Sequence, residues 1–343
     1  MSRGLPKLKC AAIAVLLVWA IFSVSNVGSP PIDTSLTPDT AELTDIDLYV
    51  DVAERVASGR DYYETAAQLH RERNYPLQPF YTIRLPTLAL LQSLVPARVG
   101  ALGLAFLAIF VWIVRLPGSV FERAVAAVAM TSSAFLAVSA EMAHSHDLWS
   151  GLLLTLALGL YTKERWLPTV LLAALAVSIR EHALLFGAIF GAFALYQRRW
   201  KEMSAWLVVA AFFAALMAYH SQMVSAQLQP GDLTSGGWLG LQGWAGFVDV
   251  MSDYSLFGQL PVMLFAAMLA LSFVGWSLLS PARGMAVMLG YFSVIAIFAR
   301  PDNSYWSLNM LPALLAGLAY APRAISAHCT GRSAFKSGES FAA

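Results

Sequence analysis

Charge is what this sequence lacks most. Asp, Glu, Lys and Arg make up only 13% of the 343 residues, while 58% are hydrophobic and the mean hydropathy is +0.62. A soluble domain carries roughly 25% charged residues, so a soluble chain is excluded and a polytopic membrane protein is expected. The net charge of +1 says nothing about partners. Basic residues are spread over short turns instead of forming one patch, so no nucleic-acid surface is expected. Cysteine is nearly absent: Cys10 and Cys329 are the two present. Both are assigned below to the cytoplasmic side, where a reducing milieu predicts no disulfide. Cys10 also lies at the very start of the first apolar run, where a lipoprotein cysteine would not stand. Ionisable residues are missing from the middle of every apolar run. Ion-coupled transporters place such groups at mid-membrane. Their absence points to a reaction site at one membrane face.

What is present is a succession of apolar segments. Leu8–Asn26 follows Arg3, Lys7 and Lys9 and reads as an uncleaved first helix in preference to a signal peptide. Further spans are expected at Val99–Val114, Ala124–Ser139, Leu148–Tyr161, Leu167–Ile179, Ala183–Tyr196, Ala205–Tyr219, Leu260–Leu279, Met285–Ala299 and Leu308–Ala321. The fold class is therefore all-α, with about ten transmembrane helices in a single integral membrane domain over 1–343. Alternate turns are basic, through Arg115 and Arg123, Lys163 and Arg165, Arg198, Arg199 and Lys201, Arg283, and Arg323, Arg332 and Lys336. By the positive-inside rule this puts both termini in the cytoplasm of an inner-membrane protein, with a tail at 322–343. The opposite face carries a large first external loop, 27–97, and a second loop, 222–259, rich in Gly and Trp.

The one long polar run lies in the first loop. Asp45 to Thr87 holds seven Asp or Glu and five Arg. The Pro-, Ser- and Thr-rich Gly28–Thr44 ahead of it reads as loop. Leu48, Val52 and Val56 recur every four residues, which predicts an amphipathic helix over Asp47–Ser58 ended by Gly59. A second such helix is expected over Asp61–Arg73, broken by Tyr75-Pro76. Thr87–Val95 is apolar but about half the roughly 20 residues a span needs, so an interfacial helix is expected. Glycines 231, 236, 237, 240, 243 and 246 do not form a phosphate loop, because no strand precedes them and no Lys-Ser/Thr follows. The loop that holds them, with Trp238 and Trp244, is expected to be mobile and to cover the site. Arg300–Trp306 is expected to close another wall.

Several short motifs occur in one order. Asp45-Ile46-Asp47-Leu48-Tyr49 is followed by Ala53, Gly59 and Tyr62-Tyr63, then Tyr75-Pro76-Leu77-Gln78-Pro79, Asp147-Leu148, Arg180 and the stretch Tyr305 to Pro312. This series resembles the GT-C superfamily of polyprenyl-phosphate-sugar-dependent integral membrane glycosyltransferases, of the mannosyltransferase and aminoarabinose-transferase type. It covers most of the chain. It departs from the pattern where the first acids are spaced Asp-Ile-Asp and not adjacent, where the proline pair is split, and in that no large soluble domain is expected after the spans. The resemblance implies an inverting glycosyltransferase with a lipid-phosphate sugar donor, a lipid or glycan acceptor, surrounding membrane lipids as partners, and a site facing the exterior.

The chemistry can be laid out from the residues. Nucleotide sugars are not supplied outside the cytoplasmic membrane, so an external transferase needs a lipid-carried donor. It then needs a carboxylate base for the acceptor hydroxyl and cations for the leaving phosphate. Asp45 is the preferred base and Asp47 the second, although Asp47 also reads as an N-cap. Asp51 and Glu54 read as solvated. Arg84, Arg180 and Arg300 stand at external helix ends, against the positive-inside trend, and are the phosphate candidates. Arg71 and Arg73 are lesser candidates, and His182 reads as structural. Glu141, His144, His146 and Asp147 form a second acidic cluster for the acceptor or the phosphate, with Asp147 also reading as an N-cap. No cofactor is required. If a divalent cation binds, Asp45, Asp47, His146 and Asp147 are the ligands to consider. A lipid-linked glycan polymerase or ligase, a small-solute or lipid transporter, and a non-enzymatic assembly or polymer-export subunit stay open.

Overall fold

A computed structural model describes residues 5–25 and 45–331. Gly28–Thr44, Arg3, Arg332 and Lys336, and most of the expected tail, lie outside the described residues. Those described are helical, with one isolated bridge pairing Gln78 and Thr234. The helices are α1 (Leu5–Phe22), α2 (Asp45–Ala57), α3 (Tyr62–Glu72), α4 (Thr87–Gln92) and α5 (Ala97–Arg115). Next come α6 (Val120–Ala134), α7 (His146–Leu160), α8 (Leu167–Ile179), α9 (Leu184–Tyr196) and α10 (Trp200–Ser225). The last are α11 (Gly243–Ser252), α12 (Val262–Leu279), α13 (Arg283–Phe298), α14 (Leu311–Ala316) and α15 (Ala321–Thr330).

Four segments are long and apolar enough to cross a membrane: α5, Val120–Val138, α10 and α12. A fifth is the pair Asn303–Asn309 and Leu311–Thr330, bent by 54°. The helices α7, α8, α13 and Glu181–Tyr196 are apolar but shorter. This is a multi-pass helical membrane protein.

The first-loop helices form where the apolar spacing puts them. Leu48, Val52 and Val56 are buried along α2. They share a small core with Tyr62, Tyr63, Ala66 and Leu69 of α3, Ala89 of α4 and Val224 of α10. Asp61 caps α3 by accepting from the Glu64 amide at 2.9 Å. A capping box between Ser119 and Glu122 starts α6. This small core seats the polar first loop on the end of the bundle. The opposite end holds a second set of charges: Arg323 pairs with Glu122 at 2.7 Å and Arg199 with Glu202 at 2.9 Å. There Arg283 lies over the Tyr161 ring, 4.8 Å from its centroid.

Three expectations are corrected. The 222–259 segment is not simply a loop: α10 runs to Ser225, and α11 buries Phe247, Val248, Val250 and Met251 in the main core. Its glycines signal a break locally, but packing of the intervening apolar residues overrides propensity. The helix expected from Asp47 starts at Asp45, so Asp47 stands inside the first turn of α2 and is not its N-cap. Cys10 and Cys329 are joined by a disulfide, with Cα atoms 4.8 Å apart. α1 packs along α12 and α15, which brings two positions 319 residues apart together.

Glycine sets the closest helix crossing. A Cβ on Gly275 would stand 1.7 Å from the Gly317 carbonyl oxygen, and one on Gly317 would stand 2.3 Å from the Ser272 carbonyl oxygen. In lipid, small residues let helices approach and gain van der Waals contact. Gly275→Leu is expected to force α12 off this crossing and lower the melting temperature in detergent. The cost is about 3 kcal/mol, at the upper end of overpacking. Gly103→Leu, a position with open space around it, is the control and should melt as the wild type does.

Candidate functional site

Arg84, Arg180 and Arg300 meet at one end of the bundle, around a cavity of about 390 Å³. Asp45, Tyr49, Glu181, Tyr305 and Trp306 also line it. That size falls in the usual range for ligand sites, roughly 300–1,000 Å³. It is built by the start of α2, the turn through Tyr75–Arg84, the stretch holding Ser235 and Trp238, and the two helix breaks after α8 and α13. Helix breaks present side chains without the regular ladder, which is why they gather polar groups at a membrane face.

Arg84 follows the 3-10 turn Phe80–Thr82. The Tyr62 hydroxyl donates to its carbonyl at 2.6 Å and fixes the backbone. Its guanidinium donates to the Tyr49 hydroxyl at 2.8 Å and to the Tyr305 hydroxyl at 3.2 Å. Glu181 is 4.0 Å away. Two phenols and one distant carboxylate leave much of this positive charge available to an anion.

Arg180 is placed differently. It ends α8 and is 1% exposed. Its Nε donates to Asp147 Oδ1 at 2.8 Å, and its Nη1 donates to Glu181. Asn309 also donates to Asp147 Oδ1 at 2.8 Å, and Ser150 donates to Asn309 Oδ1 at 2.9 Å. The chain α7–α8–Asn309 thus holds one guanidinium in a fixed attitude. A buried ion pair needs such extra hydrogen bonds to offset its desolvation. Arg300 lies over the indole of Trp238, 5.7 Å from the ring centroid.

Asp45 lines the cavity, where it accepts a hydrogen bond from the Tyr75 hydroxyl. Burial, followed by the Asp45 charge, pushes the Tyr75 phenol upward, so it stays a donor. Burial likewise raises the Tyr49 phenol and holds the His70 imidazole down to about 4. His70 is therefore neutral near pH 7, and its Nδ1, 2.9 Å from the Pro76 carbonyl, carries the proton it donates there.

The second cluster divides. Glu141 is exposed and accepts from Ser139 at 2.6 Å. His144 stands over the Ala140 carbonyl at 3.2 Å. Neither lines the cavity. His146 is buried edge-on to Tyr49 at 4.7 Å, with neither ring nitrogen hydrogen-bonded. Asp147 sits behind Arg180, and the N-cap of α7 is Ser145. The N-cap alternative for Asp147 is thereby corrected: Ser145 already accepts from the Leu148 amide at 3.2 Å. Asp47 is in the first turn of α2 and is not among the lining residues. Among the described residues no three of His, Cys, Asp and Glu stand together to hold a metal ion. Asp45, Asp47, His146 and Asp147 therefore do not assemble as one ligand set.

Arg71 pairs with Asp232 at 2.7 Å and Arg73 pairs with Asp51, so both brace the first loop. His182 lies 3.8 Å from Asp147 and packs on Trp306 at 4.2 Å. The segment after α10 is fastened to the site. The Leu77 and Gln78 amides donate to the Leu233 carbonyl at 3.0 and 3.2 Å, and the Ser235 amide donates to Gln78 at 2.7 Å. Ser235 and Trp238 form a wall of the cavity. Asn309 is the position that residue-by-residue reading passed over. Tyr49 and Tyr305 were visible as aromatics in the ordered motifs, but Asn309 gave no local signal. No family model, curated protein or solved structure matches the chain.

Proposed function

We propose that this chain is an inverting glycosyltransferase that moves a sugar from a polyprenyl-phosphate donor to an acceptor hydroxyl at the external membrane face. The observation that carries the reading is a cavity at one end of an apolar bundle, lined by the Asp45 carboxylate, by three guanidiniums and by Glu181, which is paired to Arg180. We take the four or five evident spans, the shorter apolar helices and α1 together as ten crossings, with the basic end in the cytoplasm.

In this reading the acceptor hydroxyl gives its proton to Asp45 as its oxygen bonds to the anomeric carbon. The bond from that carbon to the phosphate oxygen breaks on the far side, inverting the centre. The electron pair leaves with polyprenyl phosphate, whose charge Arg84, Arg180 and Arg300 offset. Tyr49, Tyr305 and Trp306 provide aromatic walls for the sugar. No step here calls for a cation.

Arg84 is the phosphate anchor held by two phenol hydroxyls, with the Glu181 carboxylate 4.0 Å away. Arg84→Gln is expected to weaken retention of radiolabelled polyprenyl phosphate by roughly ten- to a hundredfold, the loss of one hydrogen bond to a charged group. Arg55→Gln, a residue in a half-exposed pair with Glu72, is the control. Unchanged retention in Arg84→Gln would remove the phosphate assignment. A solute transporter is the second reading, favoured by the 54° bend before α14, since transporters use broken helices at their sites. Flux of a solute without bond cleavage would select it.

A further inference from the structure

A separate groove lies at the side of the bundle where α1 packs on α12 and α15. It has a volume of about 550 Å³ and is walled by α1, α11, α12, α13 and α15. Its lining is almost entirely apolar, with Phe273 and Phe292 on the inner wall. No acidic residue lines it.

The two ends of the groove differ. At one end stands Lys9, exposed on α1, with His328 hydrogen-bonded to Ser277 at 2.8 Å beside it. Lys9 has no ion-pair partner among the described residues. The Cys10–Cys329 disulfide ties α1 to α15 next to this end. At the other end Trp19 and Trp244 meet at 6.0 Å, and the Trp244 indole donates to the Ala20 carbonyl at 3.0 Å. The lining on α1 runs from Lys9 to Ala20. At 1.5 Å per residue that is about 16 Å, near half of a hydrocarbon core of about 30 Å.

We infer that this groove binds a phospholipid with an anionic headgroup, one acyl chain lying along α1 with the phosphate at Lys9. Each feature matches that chemistry. The length is one leaflet, the walls are hydrocarbon-like, a cation with no ion pair among the described residues is at the depth of a headgroup, and indoles stand at the other end. An apolar groove open to lipid is filled by lipid, and the lone lysine selects the sign of the headgroup. The occupant is not the proposed sugar donor. Lys9 stands at the end of the bundle opposite the arginine-lined cavity, so the phosphate of this lipid belongs to the other leaflet. The α1 helix, held to the bundle along α12 and α15, is sealed further by the lipid it covers.

The test is native mass spectrometry of the full chain, equilibrated with equal amounts of phosphatidylglycerol and phosphatidylcholine in detergent. The wild type is expected to retain one phosphatidylglycerol. Lys9→Glu is expected to lower that retention by about tenfold or more, the loss of one charge-assisted contact. Lys9→Arg should keep it. Ala12→Trp, at an exposed position on the groove face of α1, fills the space without disturbing the core and should also lose the lipid. Equal retention of the two lipids would overturn the inference. So would unchanged retention in Ala12→Trp, or a lipid-free wild type, whether monomer or dimer.

Discussion

Asp45→Asn is expected to cut sugar transfer by about 10²–10⁴-fold, the usual contribution of a positioned general base, with donor retention near that of the wild type. Asn keeps the size of the side chain and an oxygen that accepts from Tyr75. It loses only the ability to take a proton. Asp45 lies at the first turn of α2, whose apolar face is locked against α3 and α4, so the substitution has little means of moving the backbone. The helix opens from the surface of the cavity, which puts this carboxylate at the wall and carries Asp47 away from it. Asp47→Asn is therefore the informative companion. It should leave turnover near wild type, and a loss as large as that of Asp45→Asn would shift the base to Asp47. Equal and normal turnover in both variants would remove the carboxylate base altogether. The check is initial rate at saturating donor, with melting temperature recorded alongside.

The second large effect is structural. Asp147→Ala is expected to destabilise the protein by about 3–5 kcal/mol, because it strands a buried guanidinium. The Asp147 and Arg180 side chains are 4% and 1% exposed, so solvent cannot replace the lost partner. Asn309 would lose the nearer of its two acceptors in the same stroke, keeping the Trp306 carbonyl at 3.3 Å. Glu181 remains on Arg180 and limits the loss. The double variant Asp147→Leu with Arg180→Met should recover most of the stability, since a buried ion pair exchanged for apolar side chains is near neutral in free energy. It should still be inactive under the proposed mechanism, having lost a phosphate ligand. Thermal unfolding of Asp147→Leu, Arg180→Met and the pair gives a double-mutant cycle. Additive losses would show that Asp147 and Arg180 do not act as one unit.

How much of this was visible in the chain depends on how far apart the interacting residues lie. The α2 stripe could be read because Leu48, Val52 and Val56 repeat at the period of a helix. Arg84, Arg180 and Arg300 stood out because basic residues on that face run against the topological trend, and all three line one cavity. Asp45 drew attention for a different reason: it begins the only long polar run. The supporting residues were not. Asp147 meets Asn309 across 162 positions, and nothing local in Ser150 or Asn309 announces the pairing. The helix α11 was hidden because Gly243 and Gly246 look like breakers until Phe247, Val248, Val250 and Met251 find a core. The cysteines were read by compartment, which carries no information on whether two helices bring them side by side. The helical, membrane-embedded class needed only composition, whereas the crossing of α12 on the segment around Gly317 needed coordinates.

The central claim is that this protein transfers sugar from a lipid-phosphate donor. The most direct measurement is turnover by the purified full chain in nanodiscs, with a panel of radiolabelled polyprenyl-phosphate sugars and a crude lipid extract as acceptor. The account predicts release of polyprenyl phosphate together with a labelled product for one donor, both lost in Asp45→Asn. Folded protein that neither retains nor cleaves any donor in the panel would contradict it.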